Sequence, residues 1–134
     1  MQVAAYQASL LAKDSMGAIQ LIQQRVRQCE TDGVSVLCCP EAILGGLADF
    51  SDQPGRFAIR TDNGQLASVL APLTSETVTS IVGFTELSSD GALYNAAAVF
   101  QCGRVTGLYR KIRPALRRSV YSPGSETPVF GQVS

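Results

Sequence analysis

The chain has 134 residues, of which 46% are hydrophobic, and this is enough for one domain with a buried core. Its 11 lysines and arginines balance its 11 aspartates and glutamates, so no net charge draws the protein to nucleic acid or to an anionic membrane. Histidine is absent, which excludes a Ser-His-Asp or Cys-His apparatus and an imidazole-based metal site within the chain.

The cysteines and the N-terminus indicate the compartment. Cys29, Cys38, Cys39 and Cys102 show no Cys-x-x-Cys spacing, which disfavours both disulfides and a zinc site. Residues 1–7 lack the basic start and apolar core of a secretion signal, and no apolar run approaches bilayer length. The sequence therefore predicts a soluble, cytoplasmic protein.

The first third of the chain predicts a strand, a helix and a second strand. Loose alternation from Val3 to Ala8 predicts a short strand. Asp14 or Ser15 can cap a helix that ends near Asp32-Gly33, with Ile19, Ile22, Val26 and Cys29 at helical spacing. The apolar run 34–39 then predicts a buried strand that ends at Pro40, because proline cannot donate to a sheet. This order is typical of a layered α/β domain with a right-handed crossover.

Glu41 stands at the end of that second strand and is followed by apolar residues 42–44. Partial desolvation of such a carboxylate favours a raised pKa and a role as general base. The plainer alternative is a capping or salt-bridged surface carboxylate, and the residues by themselves favour it.

The middle of the chain predicts an irregular segment, a short helix and three strands. Residues 42–62 combine glycine, proline and acids without periodicity, as in a loop beside a site. A helical pattern at Leu66, Val69, Leu70 and Leu73 is interrupted by Pro72. Strands are predicted at 79–85, 92–100 and 105–109, with turns at 88–91 and 102–103.

Lys111 follows the last of these strands, as Glu41 follows the second, and each precedes irregular chain. If neighbouring strands bring the two together, the carboxylate can remove a proton from a nucleophile while the ammonium stabilises an oxyanion. A solvated lysine at a strand end is the plainer alternative. Further on, Pro123-Gly124 and Pro128-Val129-Phe130 predict a turn that enters another strand, inside which the chain stops.

Short segments in a fixed order carry a family resemblance. They are Val3-Ala4-Ala5-Tyr6-Gln7, Val36-Leu37-Cys38-Cys39-Pro40-Glu41, Gly83-Phe84-Thr85-Glu86, Leu93-Tyr94-Asn95-Ala96-Ala97, Gly107-Leu108-Tyr109-Arg110-Lys111 and Ser122-Pro123-Gly124 followed by Pro128-Val129-Phe130. With its Pro-Glu and Tyr-Arg-Lys cores, the chain resembles the N-terminal half of a nitrilase-superfamily carbon-nitrogen hydrolase. The resemblance implies an α/β fold of the αββα sandwich type, truncated, in which residues 1–134 are the N-terminal part of a single carbon-nitrogen hydrolase domain.

The resemblance also implies a Glu-Lys-Cys triad that hydrolyses small nitriles, amides or carbamoyl compounds without metal or organic cofactor. By that match, Glu41 is the general base and Lys111 is the cation that stabilises the intermediate. The nucleophilic cysteine belongs on a strand beyond the Pro-Val-Phe segment and is absent from these 134 residues. Cys38 and Cys39 are expected to be inert core residues, and Cys102 an exposed turn cysteine.

Two further residues are candidates for substrate binding. A second glutamate of many family members would fall near Arg117, so Arg117, with Arg118 beside it, is predicted to contact an anionic substrate. Tyr121 is the other candidate, although a half-buried position in the sheet is the plainer interpretation for both Tyr94 and Tyr121.

Two functional hypotheses follow. The first is a hydrolase of a non-peptide C–N bond that acts through a thioester on a small-molecule substrate, and we expect this isolated chain to be inactive. The alternative is a non-catalytic fragment that self-associates or binds a partner through an exposed sheet face and open strand edges. A homodimer is compatible with both, and neither involves nucleic acid or a membrane.

Overall fold

The computed structural model describes residues 1–9, 14–115 and 117–131. Within them, six strands form one mixed sheet that packs against two α-helices. In chain order the elements are β1 Val3–Ala5, α1 Ser15–Asp32, β2 Val36–Cys38, a 3-10 turn Ala48–Phe50, β3 Ile59–Arg60, α2 Gln65–Leu70, a 3-10 turn Ala71–Leu73, β4 Thr79–Leu87, β5 Leu93–Gln101 and β6 Arg104–Arg110. The predicted layered α/β organisation is confirmed.

Helix α1 begins and ends where its capping residues predict. The Asp14 side chain accepts a hydrogen bond from the Met16 N–H at 3.1 Å, which satisfies one of the free donors at the helix start. Gly33 closes the other end in the left-handed conformation, with φ 70°. The predicted apolar stripe is buried, and it consists of Ile19, Ile22, Val26 and Cys29.

The sheet has the order β1-β2-β4-β5-β6, with β3 paired to β4 beyond the end of β2. Strands β1, β2 and β4 are parallel, and β5 and β6 continue the sheet as antiparallel hairpins. All five predicted strands up to residue 110 are present, and β2 ends before Pro40. Strands β1 and β2 are shorter than predicted, and the expectation that β2 is buried throughout is wrong, because only Leu37 of its three residues is buried. Strand β3 lies inside the segment predicted to be irregular, because two residues are too short to show an alternating pattern.

The two faces of the sheet differ. Val82 and Phe84 of β4 pack with Phe100 of β5 and with Ile22 and Leu70 of the helices, so this face holds the core. Because side chains alternate along a strand, the odd-numbered residues of β4 and β5 belong to the opposite face. That opposite face carries the candidate site.

The strand predicted from Pro128 is wrong for residues 128–131, which have no regular structure, and residues 132–134 lie outside the described part of the chain. The Phe130 ring lies against Gly107 of β6, in the space that a Cβ would occupy. Packing of this ring against the sheet therefore fixes Phe130, and residues 128–131 pair with no strand of the described chain. Within the described residues, no helix is long and apolar enough to cross a lipid bilayer.

Candidate functional site

The structure brings Glu41 and Lys111 together. Lys111 Nζ lies 2.7 Å from Glu41 Oε1, and the side chains are 33% and 48% exposed. Glu41 lies in the turn after β2, and Lys111 directly follows β6. The expectation of neighbouring strands is wrong, because β4 and β5 lie between β2 and β6. The turn after β2 instead carries Glu41 onto β4, where a Cβ at Gly83 would lie 3.0 Å from the Glu41 Cα, and the Lys111 side chain reaches the carboxylate there.

Asn95 of β5 forms hydrogen bonds with both Glu41 and Lys111. Its Nδ2 donates to Glu41 Oε1 at 2.7 Å, and its backbone carbonyl accepts from the Lys111 N–H at 2.8 Å. Asn95 is only 7% exposed, so the sheet fixes its position. Within the described residues, both side-chain donors to the Glu41 carboxylate use Oε1, and no side chain there donates to Oε2.

The charge state of Glu41 follows from these contacts. The hydrogen bond from Lys111 lowers the pKa of Glu41, partial burial raises it, and the Asn95 amide lowers it again, with a net lowering. The expected rise in pKa is therefore wrong, because the ammonium and the amide together outweigh desolvation. Glu41 is a carboxylate at neutral pH, able to accept a proton without first losing one.

The turn that carries Glu41 is seated directly on β4. A Cβ at Gly83 would lie 2.6 Å from both the Ala42 nitrogen and the Pro40 carbonyl oxygen, so only glycine permits this approach. Ala42 is fully buried and has φ 49°, a conformation that costs free energy for a residue with a side chain. The position of Glu41 thus depends on two neighbours that do no chemistry.

A cavity of about 310 Å³ opens beside the pair. Glu41, Lys111 and Asn95 form its polar side, while Ile81, Ala97, Tyr109 and Cys39 contribute to its lining. Few polar groups set in an apolar wall are typical of a small-molecule site. In the ranges 1–9, 14–115 and 117–131, no group of three or more His, Cys, Asp or Glu side chains is placed to hold a metal ion.

Comparison with known families identifies the family of the chain. A model of the family described as "Carbon-nitrogen hydrolase" matches residues 2–134. The chain belongs to the carbon-nitrogen hydrolase family. The family resemblance drawn from the ordered segments is confirmed. A search of curated protein sequences gave no match.

Solved structures show the same fold as this carbon-nitrogen hydrolase chain. A glutamine-dependent NAD+ synthetase from Acinetobacter baumannii is 22% identical with a TM-score of 0.77, over 97% of this chain and 25% of that one. A carbon-nitrogen hydrolase from Helicobacter pylori G27 is 18% identical with a TM-score of 0.72, over 92% and 44%. An amidase from Nesterenkonia sp. is 15% identical with a TM-score of 0.69, over 96% and 50%. The chain thus spans half or less of these proteins, and the predicted fold of the nitrilase type, present in part, is confirmed.

The other predicted site residues of this family member lie outside the cavity as described. Arg117 is exposed and does not contribute to the lining around Glu41. Tyr121 is 5% exposed and outside the strands, with its hydroxyl 2.7 Å from both the Ala48 nitrogen and the Thr85 hydroxyl. The Tyr121 hydroxyl is therefore already engaged by its own chain, and the predicted half-buried position in the sheet is wrong for Tyr121. Tyr94 is half-buried in β5, as predicted.

The cysteines differ in their surroundings. Burial, followed by the neighbouring Cys38 and Cys29, raises the pKa of Cys39 to about 12, so its thiol stays protonated at neutral pH. Cys38 is half-buried like Cys39, less buried than the core position predicted for both, and Cys102 is exposed in its turn, as expected. Cys39 lines the cavity beside Glu41 but lacks the environment of a nucleophile.

Sequence reasoning missed Asn95 and Gly83 as site residues. Both belong to the segments that carry the family resemblance, but no role was assigned to them. An amide in the middle of an apolar strand was the available signal, since asparagine is depleted in strands. Gly83 gave a weaker signal, because a strand glycine marks a close backbone approach without showing what approaches.

Proposed function

We propose that the protein hydrolyses a non-peptide C–N bond of a small molecule, with Glu41 as general base and Lys111 as the cation that stabilises the intermediate. The observation that carries the proposal is the carboxylate and ammonium joined at 2.7 Å beside a cavity, in a chain of this family. In this proposal residues 1–134 form the N-terminal part of one domain, and the nucleophilic cysteine lies outside them.

The proposed reaction begins when Glu41 Oε2 takes the proton of the cysteine thiol and the thiolate attacks the substrate carbon. Lys111 Nζ donates to the oxygen, or to the nitrile nitrogen, on which negative charge develops. With an amide, the tetrahedral intermediate collapses to a thioester, and the Glu41 proton leaves with the amine or ammonia. Water deprotonated by Glu41 then hydrolyses the thioester, which returns the thiol.

Amides are the substrate class we prefer among amides, nitriles and carbamoyl compounds. The amidase from Nesterenkonia sp. shares the fold over 96% of this chain, and the open cavity sets no requirement for a linear nitrile. A substrate contact by Arg117, a homodimer and a cytoplasmic location stay predictions from the sequence.

The test is ammonia release by the full-length protein from one member of each substrate class. We expect Glu41→Gln to lower the rate at least about 10²-fold, because it removes a general base. Glu30→Gln, an exposed glutamate on α1, is the matched control and should keep the wild-type rate. Full activity in Glu41→Gln would refute the proposed mechanism.

The cysteines of this chain need a separate control. A variant with Cys38, Cys39 and Cys102 changed to serine should keep the activity, because none of the three serves as nucleophile in the proposal. Loss of activity in this variant, with the fold intact by circular dichroism, would place the nucleophile inside residues 1–134 and contradict that part of the proposal.

A further inference from the structure

Arg110 and Lys111 are consecutive but serve opposite faces of the sheet. Arg110 pairs in register with Ala96, which belongs to the core face, while the Lys111 side chain meets Glu41 on the cavity face. Because a strand alternates its side chains, fixing the face of Arg110 fixes the face of the next residue.

A buried carboxylate holds Arg110 in place. Glu86 of β4 is 0% exposed, and its two oxygens accept from Arg110 Nε and from the Arg110 terminal nitrogen, each at 2.7 Å. The Thr61 hydroxyl donates to the same carboxylate at 2.8 Å, and the guanidinium carbon lies 3.9 Å from the centre of the Tyr94 ring. We call these four residues, Thr61, Glu86, Tyr94 and Arg110, the Glu86 clamp.

The chain beyond Lys111 also packs against the backbone of Arg110 and Lys111. Gly124 donates its N–H to the Lys111 carbonyl at 2.9 Å, and it has no room for a Cβ against the Arg110 carbonyl. The backbone on both sides of the Lys111 side chain is thereby fixed, through Arg110 before it and Gly124 beside it.

Stability alone gives little reason for such a clamp. A carboxylate removed entirely from water has a large desolvation cost, and a well-packed apolar pair is often equally stable in its place. Buried ion pairs are best attested where they select one register over another. At the end of β6 a change of register would move Lys111 to the wrong face.

We propose that the Glu86 clamp is a positioning device for Lys111, which holds the end of β6 in the register that presents the ammonium to Glu41. The proposal rests on the proposed function only for the catalytic value of Lys111. The geometric part, that Glu86 sets the Glu41–Lys111 contact, stands without any substrate.

The test follows the Glu41–Lys111 contact in the full-length protein. The carboxyl carbon of Glu41 is titrated by carbon-13 NMR, and denaturant unfolding measures stability in the same samples. Lys111→Met is the reference that removes the ammonium, and it should raise the pKa of Glu41. Glu86→Gln and Arg110→Lys should raise that pKa toward the reference. Arg60→Gln is the matched control, because it breaks the exposed Arg60–Asp62 pair beside Thr61 and should leave Glu41 unchanged.

The proposal is overturned if Glu86→Gln is folded, less stable, and keeps the wild-type pKa of Glu41, since the clamp would then be structural only. If Glu86→Gln fails to fold, Arg110→Lys decides alone, because it keeps a cation opposite Glu86 but loses the two-pronged contact and the ring stacking. A full-length protein that releases no ammonia from any of the three substrate classes, while its Glu41 pKa follows Glu86, would retain the clamp and refute the proposed function, so the two failures are distinguishable.

Discussion

Two carboxylate–cation pairs lie at the end of β6, and the nitrogen–oxygen distance is 2.7 Å in each. They differ in burial and in the number of carboxylate oxygens that are hydrogen-bonded. In the Glu86–Arg110 pair the carboxylate is 0% exposed and both of its oxygens are used by the arginine. In the Glu41–Lys111 pair the side chains are 48% and 33% exposed and the contacts use one carboxylate oxygen. The buried pair, with both oxygens engaged, suits a structural role. The exposed pair, in which no described side chain donates to Glu41 Oε2, is the one that lies beside the cavity.

The largest expected effect comes from breaking the buried pair. Arg110→Ala leaves the Glu86 carboxylate buried without its cation, and we expect a loss of about 3 kcal/mol in the free energy of unfolding, the lower end for a buried pair because Arg110 is 42% exposed. Denaturant unfolding of the variant beside wild type measures this. A loss no larger than that in the exposed-pair variant Arg60→Gln would contradict the distinction between the two kinds of pair.

The contact between the Glu41 turn and Gly83 of β4 should contribute nearly as much to the free energy of unfolding. Gly83→Ala forces a Cβ against the Pro40–Ala42 turn, and overpacking of this kind costs about 1–3 kcal/mol. Gly55→Ala is the control, because no atom lies near its Cβ position and its φ is not positive. Comparable stability of the two variants in the same unfolding assay would show that the turn does not rest on β4 as closely as described.

The exposed Glu41–Lys111 pair should contribute less to the free energy of unfolding, and its contribution should depend on pH. Its partners are a third to a half exposed, so Lys111→Met is expected to lower the free energy of unfolding by at most about 1 kcal/mol at pH 7. Because Lys111 lowers the pKa of Glu41 in the folded state, this stabilisation is present above the unfolded pKa and is lost as the pH falls through the folded pKa. Unfolding curves at neutral and acidic pH check the sign. A difference between the two proteins that grows on acidification would contradict it.

The smallest expected effect is the difference between Asn95 and Lys111 in how strongly each lowers the pKa of Glu41. Asn95→Leu removes the weaker of the two hydrogen-bond donors to Glu41, so the pKa of Glu41 should rise, but by less than in Lys111→Met. Carbon-13 titration of Glu41 in both variants makes the comparison. An equal or larger rise in Asn95→Leu would make the amide the dominant partner.

Much of the fold was readable because its signals are local. The caps Asp14 and Gly33 bound α1, and Pro40 ends the strand run before Glu41. The contacts that make the site are not local: Asn95 is 54 residues from Glu41, and Lys111 is 70 residues from it. The predicted rise in the Glu41 pKa was therefore wrong. The sequence shows the apolar residues that follow Glu41 and raise its pKa, but it does not show the contact with the distant Lys111 ammonium, which lowers the pKa more strongly.

In the proposed hydrolysis, Glu41 and Lys111 act as one unit. The most direct measurement is the rate of ammonia release by the full-length protein and by Glu41→Gln, Lys111→Met and the double variant, on one amide. Residues that act as a unit are strongly non-additive, so each single variant should lose most of the activity and the double variant should lose little more. Losses that multiply in the double variant, or a single variant that keeps the wild-type rate, would contradict the claim.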